Sequence, residues 1–240
     1  MLINGTATLR CKNFLRYRTD LSLELYGYRR ILNDQDVAYL LHSMEMAVVD
    51  TLAIWCDCAT NMHAQRLLNL AEAVGIQLHL SQSDLGLLRL AALLHDIGKV
   101  AIPSAILQKQ GPLDPHEWAL IRLHPEIGWS ILQGAGAILE QVALLVIAHH
   151  EAWDGSGYPR GLRKTEIPFL ARILAVVDSY DAMVSERAYG KPLPASSACH
   201  ELVRCAGQRY DPHVVNAFLH VLIGTKTYSD MRGFYSSIIL

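Results

Sequence analysis

Apolar residues recur at helical spacing along most of this chain, and several of the periodic runs carry a histidine or an aspartate on the inner face or at the end. From about Met44 to Val74, Cys56, Ala59, His63, Leu67 and Leu70 share a stripe at steps of three and four. This predicts a helix that ends at Gly75 and turns His63 inward. Leu87 to Leu94 is nearly all apolar, with Asp84 and the serines before it as a start signal and Gly98 as a stop. His95 and Asp96 are therefore expected in the last turn of a buried helix. Asp114-Pro115-His116-Glu117 combines an N-cap, a first-turn proline and a capping-box glutamate. The helix it opens should stop near His124, because Pro125 disfavours helical geometry in the residue before it. Ile138 to His150 is the next predicted helix; Val142, Leu145, Val146 and His149 share a face, and His150 lies about 100° round from His149.

Glu151 to Pro168 reads as a loop rich in glycine and proline, a form suited to close backbone approach and to the wall of a cleft. Phe169 to about Ser185 returns to helix, with Ala171, Leu174, Ala175, Asp178 and Ala182 on one face and Asp181 one turn beyond Asp178. Lys191 to Pro194 breaks the chain before helices at about Ala195–Ala206 and Pro212–Ile223, closed by Gly207 and Gly224. The expected fold is all-α, a helical bundle over residues 44–224. Residues 1–43 form an N-terminal extension, with a short strand at Leu21–Tyr26 and a helix at Tyr28–Leu41, and 225–240 form a tail.

Composition narrows the functional classes. Just over half of the 240 residues are hydrophobic, enough for one sizeable core, and a formal net charge of -2 gives no basis for binding a nucleic-acid polymer. The best candidate membrane span, Ala38 to Ala59, contains Glu45, Asp50 and Asp57, and the N-terminus lacks a signal-peptide pattern, so a soluble cytoplasmic protein is expected. The five cysteines form no CxxC pair and read as reduced thiols. The 11 histidines exceed what packing needs, and histidine is the commonest metal ligand.

Singly, His63 or a His-Asp pair reads more readily as a hydrogen-bonded core group than as a ligand. Together, His63, His95, Asp96, His124, His149, His150 and Asp178 all lie on inner faces or at helix ends, where a bundle can converge them. One ion cannot use them all. With Asp96 as a bridge they satisfy most positions of two octahedral ions and leave room for water or substrate oxygens. Mixed imidazole and carboxylate ligation with open positions suits iron or manganese better than structural zinc. Two such ions sharing a water are suited to in-line attack at phosphorus.

His95-Asp96-Ile97-Gly98-Lys99, His149-His150-Glu151 and Asp154-Gly155-Ser156-Gly157-Tyr158-Pro159 resemble the HD-GYP domains of the HD phosphohydrolase superfamily. So do His63-Ala64-Gln65-Arg66, Ile102-Pro103, His124-Pro125, Ile167-Pro168, Asp178-Ser179-Tyr180-Asp181-Ala182 and Asp211-Pro212, so the resemblance runs from about Asn61 to Phe218. It implies an all-α HD-domain bundle with extra C-terminal helices, two or three bound metals, and hydrolysis of cyclic dinucleotides, chiefly cyclic di-GMP to linear pGpG. It implies the same seven metal ligands, a catalytic role for Asp96, and Lys99 on the scissile phosphate. Tyr158, with a face for guanine, Asp181 and Arg187 would contact substrate or the site around it. Ala152, Ala188 and Gly190 depart from the family pattern, and Ala59 stands where three-metal members have a glutamate. Cyclic GMP-AMP is the nearest alternative substrate, a non-catalytic binding module the alternative class, and a homodimer through the N-terminal helices the one assembly raised.

Overall fold

The structure, a computed structural model, describes residues 58–186 and 191–224, with side chains from His63 onward. The expected strand and helix of the N-terminal extension, the start of the helix from Met44, the dimer surface and the tail lie outside the described residues. Among these residues the fold is all-α, with nine α-helices and two 3-10 turns. No helix among them is long and apolar enough to cross a membrane.

Helix α1 (Cys58–Gln77) passes through Gly75 instead of stopping there. A single glycine costs a helix about 1 kcal/mol. Fully burying a leucine or valine contributes about 1.5–3 kcal/mol, and Leu67, Ala71 and Val74 are all completely buried. The stop is made by His79, whose φ of 56° is left-handed, with Leu80 N–H donating to the Gly75 carbonyl and His79 N–H to that of Ile76. Ser81 caps α2 (Gln82–Leu94) by accepting from Asp84 N–H. The second half of α2 is buried almost all round, as its apolar run requires.

After α2 the chain tightens into a 3-10 turn, Ile97–Ala101, and Gly98 sits inside that turn, not at its end. Its role is close approach. A Cβ at Gly98 would lie 1.9 Å from the His124 carbonyl oxygen, so only glycine lets the helical segment that begins at His124 pack against this turn. A short α3 (Ser104–Leu107) precedes α4 (Pro115–Ile121), which begins with the expected capping box at Asp114 and Glu117. It ends at Ile121, earlier than expected. His124 instead opens α5 (His124–Leu132), tolerating Pro125 because a first-turn N–H has no helical partner to lose.

Helix α6 (Ala137–Ala148) buries Val142, Leu145 and Val146, with His149 as its C-cap. Helix α7 (Phe169–Val184) is followed by α8 (Ala195–Arg204) and α9 (Pro212–Gly224). The central pair α1 and α2 pack on each other and on α7, α6 covers α2, and α9 closes the side of α1 and α7. Leu67, Leu88, Val146, Leu174 and Phe218 meet in one core. The C-terminal ends of α2 and α6 and the start of α5 thereby converge.

Candidate metal centre

Three histidines are aimed by the same local device. His95 Nδ1–H donates to the Ala92 carbonyl at 2.9 Å, His124 to Ile121 at 2.8 Å, and His149 to Val146 at 2.5 Å. Each acceptor is three residues back, among carbonyls that helix geometry leaves unpaired at a C-terminus. A carbonyl can only accept, so Nδ1 carries a proton in each ring and Nε2 is the nitrogen turned into the site, as a free lone pair where the ring is neutral, as in His124 and His149. The negative ends of α2 and α6 also face this place, which favours a cation there.

The ligand atoms fall into two groups, His63 with His95 and Asp178, and His124 with His149 and His150. Within each group they lie within 4.8 Å of one another. Asp96 stands between them, with Oδ2 3.3 Å from His95 Nε2 and Oδ1 3.3 Å from His124 Nε2. All seven expected ligands are therefore brought together, with Asp96 between the two groups.

The side chains alone leave the site electrostatically incomplete. His124 Nε2 and His149 Nε2 face each other at 3.2 Å although both rings carry their proton on Nδ1. His95 Nε2 is buried against two carboxylates, Asp96 at 3.3 Å and Asp178 at 4.0 Å. A cation between the facing histidine nitrogens and beside the carboxylates would satisfy both, so the donor set fits metal ions of nitrogen and oxygen preference. Burial pushes the His150 imidazole down to about 4 and also lowers His124 and His149, which keeps all three rings neutral and ready to ligate. Burial acts the same way on His95, but Asp96 and Asp178 outweigh it and raise that ring to about 9. Asp96 is held well below the ordinary carboxylate range, since His95 and Lys99 overcome its burial. Lys99 Nζ donates to Asp96 Oδ2 at 2.6 Å while remaining 41% exposed.

Asp181 and Tyr158, expected on substrate or on the site around it, both sit against metal-ligand candidates. Asp181 is the more deeply buried aspartate of α7, only 1% exposed against 18% for Asp178. It accepts from His63 Nδ1 at 2.6 Å and from Arg66 Nε and Nη2 at 2.6 and 3.0 Å. The Asp181 carboxylate thus lies behind a metal-ligand candidate, where it orients that ring. Tyr158 does line the site, yet its ring is already stacked on His150 at 4.9 Å with the Arg122 guanidinium over it at 4.3 Å. These neighbours take up part of the aromatic surface expected to meet a guanine. Arg187 lies outside the described residues.

The loop that carries Tyr158 hangs from Glu151. This buried carboxylate accepts from the backbone N–H of Arg160 at 2.7 Å and of Leu162 at 3.0 Å, and Tyr158 N–H donates to the His150 carbonyl at 3.1 Å. A Cβ at Gly157 would meet Ala152 N at 2.1 Å, which accounts for glycine there. No role for Arg66, Arg122 or Glu151 was expected from sequence. Arg66 carries a signal, being three residues after His63 on the same helical face. Glu151 had its adjacency to the histidine pair, and the exposed Arg122 had none.

An all-helical bundle that gathers histidines and aspartates at converging helix ends is the architecture of a metal-dependent HD domain, and residues 48–214 match the HD domain family model. The chain belongs to the HD domain family, in its HD-GYP branch. It is 41% identical over 175 residues to a cyclic di-GMP phosphodiesterase of Thermotoga maritima, covering 72% of this chain and 48% of that protein. It is 36% identical over 217 residues to the cyclic di-GMP phosphodiesterase response regulator RpfG of Xanthomonas campestris pv. campestris, covering 88% and 57%. A 3'3'-cGAMP-specific phosphodiesterase 2 of Vibrio cholerae is 40% identical over 203 residues, covering 82% and 39%. The chain spans about half the length, or less, of these curated relatives. Among solved structures, an HDG"Y"P protein from Bdellovibrio bacteriovorus shares the fold, with a TM-score of 0.60 over 90% of this chain and 72% of that one at 19% identity.

Proposed function

We propose that this protein is a phosphodiesterase that opens cyclic di-GMP to linear pGpG using two divalent ions, iron or manganese. The observation that carries the reading is Asp96, which turns one oxygen toward each of two histidine-rich groups. His63, His95 and Asp178 would hold one ion, His124, His149 and His150 the other, and Asp96 both. Bound there, the ions would supply positive charge to the phosphoryl oxygens and make water more acidic. Ala59 offers no ligand atom to a third ion.

The chain's own residues do the rest. Nδ1 anchoring keeps the ring nitrogens of His95, His124 and His149 aimed inward, and Asp181 does the same for His63. Lys99 offers its ammonium to a non-bridging phosphoryl oxygen and offsets the charge that grows there. Burial and the nearby Asp96 and Asp178 push the Tyr158 hydroxyl up to about 12 despite Arg122, so it stays protonated and able to donate. Water adds across the P–O3′ bond: its oxygen joins phosphorus, and the ribose 3′ oxygen leaves with a proton.

Purified protein loaded with manganese or, anaerobically, with iron should convert cyclic di-GMP to pGpG, followed by chromatography, with two ions per chain by elemental analysis. Asp96→Ala should lose metal and activity together. Binding without turnover under either metal would favour the non-catalytic alternative. A second substrate reading, 3'3'-cGAMP, is supported by the relative of that specificity in Vibrio cholerae, and faster turnover of that nucleotide would select it.

A further inference from the structure

We propose that Arg122 recognises the phosphodiester that is not being cut, and so distinguishes a cyclic dinucleotide from a simple diester. The inference rests on the function proposed above and adds a specificity residue to it. A cyclic dinucleotide brings two negative phosphates into the cleft. One goes to the metal centre, and the other needs a counter-charge to offset the water it loses.

Three other cations near the centre are engaged, one of them Arg209, which acts on Tyr158 from over the Tyr210 ring and faces Glu201. Arg66 is held by Asp181 behind His63, and Lys99 is paired with Asp96 and assigned to the scissile group. Arg122 is different. Its guanidinium lies over the Tyr158 ring, and among the described residues no carboxylate pairs with it. A cation–π contact uses the ring's electrostatic field and no conventional acceptor, so the donor fork remains available for two phosphate oxygens.

Its position is tied to the metal centre at two points. The Ile121 carbonyl, one residue before Arg122, anchors His124 Nδ1, two residues after it. Tyr158, beneath the guanidinium, is stacked on His150. These two steps place the guanidinium carbon within about 9 Å of the His150 ring, outside the ligand group but at its rim. An exposed arginine so fixed can bind an anion without ordering a free side chain, which removes part of the entropy cost of recognition.

The test compares metal-loaded wild type, Arg122→Ala and Arg122→Lys on cyclic di-GMP and on bis(p-nitrophenyl) phosphate, which has a single diester. Arg122→Ala should lower kcat/KM for cyclic di-GMP about tenfold, mainly through KM, and for the small diester less than twofold. Arg122→Lys should recover part of the loss, and raising salt should raise KM more steeply in wild type than in Arg122→Ala. An equal loss on both substrates would mean that Arg122 only supports Tyr158 and His150, and an unchanged KM would exclude any contact; either overturns the inference. A wild type that cleaves the small diester but no cyclic dinucleotide would refute the proposed function itself, and the inference with it.

Discussion

Asp181→Asn should weaken one metal site and spare the other. The carboxylate takes one bond from His63, two from Arg66 and a longer one from Ser185 Oγ, whereas an amide offers a single acceptor oxygen and turns an NH2 toward the remaining donors. Hydrogen bonds to a charged group contribute about 1.5–3 kcal/mol each. With the amide oxygen left to Arg66 Nε, the NH2 faces His63; Arg66 is 42% exposed and can turn to water, so the bond it loses counts for much less than that. The metal-free protein should therefore lose about 2–3 kcal/mol, chiefly through His63. For metal, losing the carboxylate that orients a ligand costs about 10- to 100-fold in affinity. That loss falls on the ion held by His63, His95 and Asp178, since none of the second group contacts Asp181. A chelator competition resolved into two binding steps measures this directly, with circular dichroism as the check on folding. Equal weakening of both steps, or of neither, would refute the assigned orienting role.

Other perturbations follow from the same geometry. Because His63 and Arg66 hold Asp181 below the ordinary carboxylate range against its burial, the stability advantage of wild type over Asp181→Asn should be fully present above about pH 4. It should disappear as pH falls through the folded value, as chemical denaturation at several pH values would record. In the metal-free protein His95 stays protonated up to about pH 9, so an ion entering its group must displace that proton, and affinity should rise with pH until about 9. The group with His124, His149 and His150 should show little such dependence above neutrality, and metal titrations that found the reverse would contradict the assignment. Lys99→Ala should keep both ions and lose turnover about 100-fold, and near-normal turnover in the metallated variant would remove Lys99 from the mechanism. Glu151→Ala leaves the N–H groups of Arg160 and Leu162 without their acceptor, so hydrogen exchange in the loop should quicken while the metals remain bound.

The helices, and the residues that could act as ligands, were legible in the sequence because both depend on local rules. Period and caps place α2, α4, α6 and α7 within a few residues, and inner-face position picks out His63, His149 and Asp178. What local rules could not decide was how those elements meet. Asp178 and Asp181 are three residues apart on one helix, so period alone puts them on the same face. Packing against α1 sets their roles, with Asp178 at the cleft and Asp181 locked to Arg66 behind it. Gly98 was legible as a helix breaker, but its function is to admit the His124 carbonyl, a contact across 26 positions of chain. The division of the ligands into two groups, with Asp96 between them, is likewise a property of the assembled bundle. Arg122 lies at the far end of that scale. It sits on no apolar stripe, and only its position over Tyr158 marks it, because a cation's partners are chosen by distance in space and leave no period in the chain.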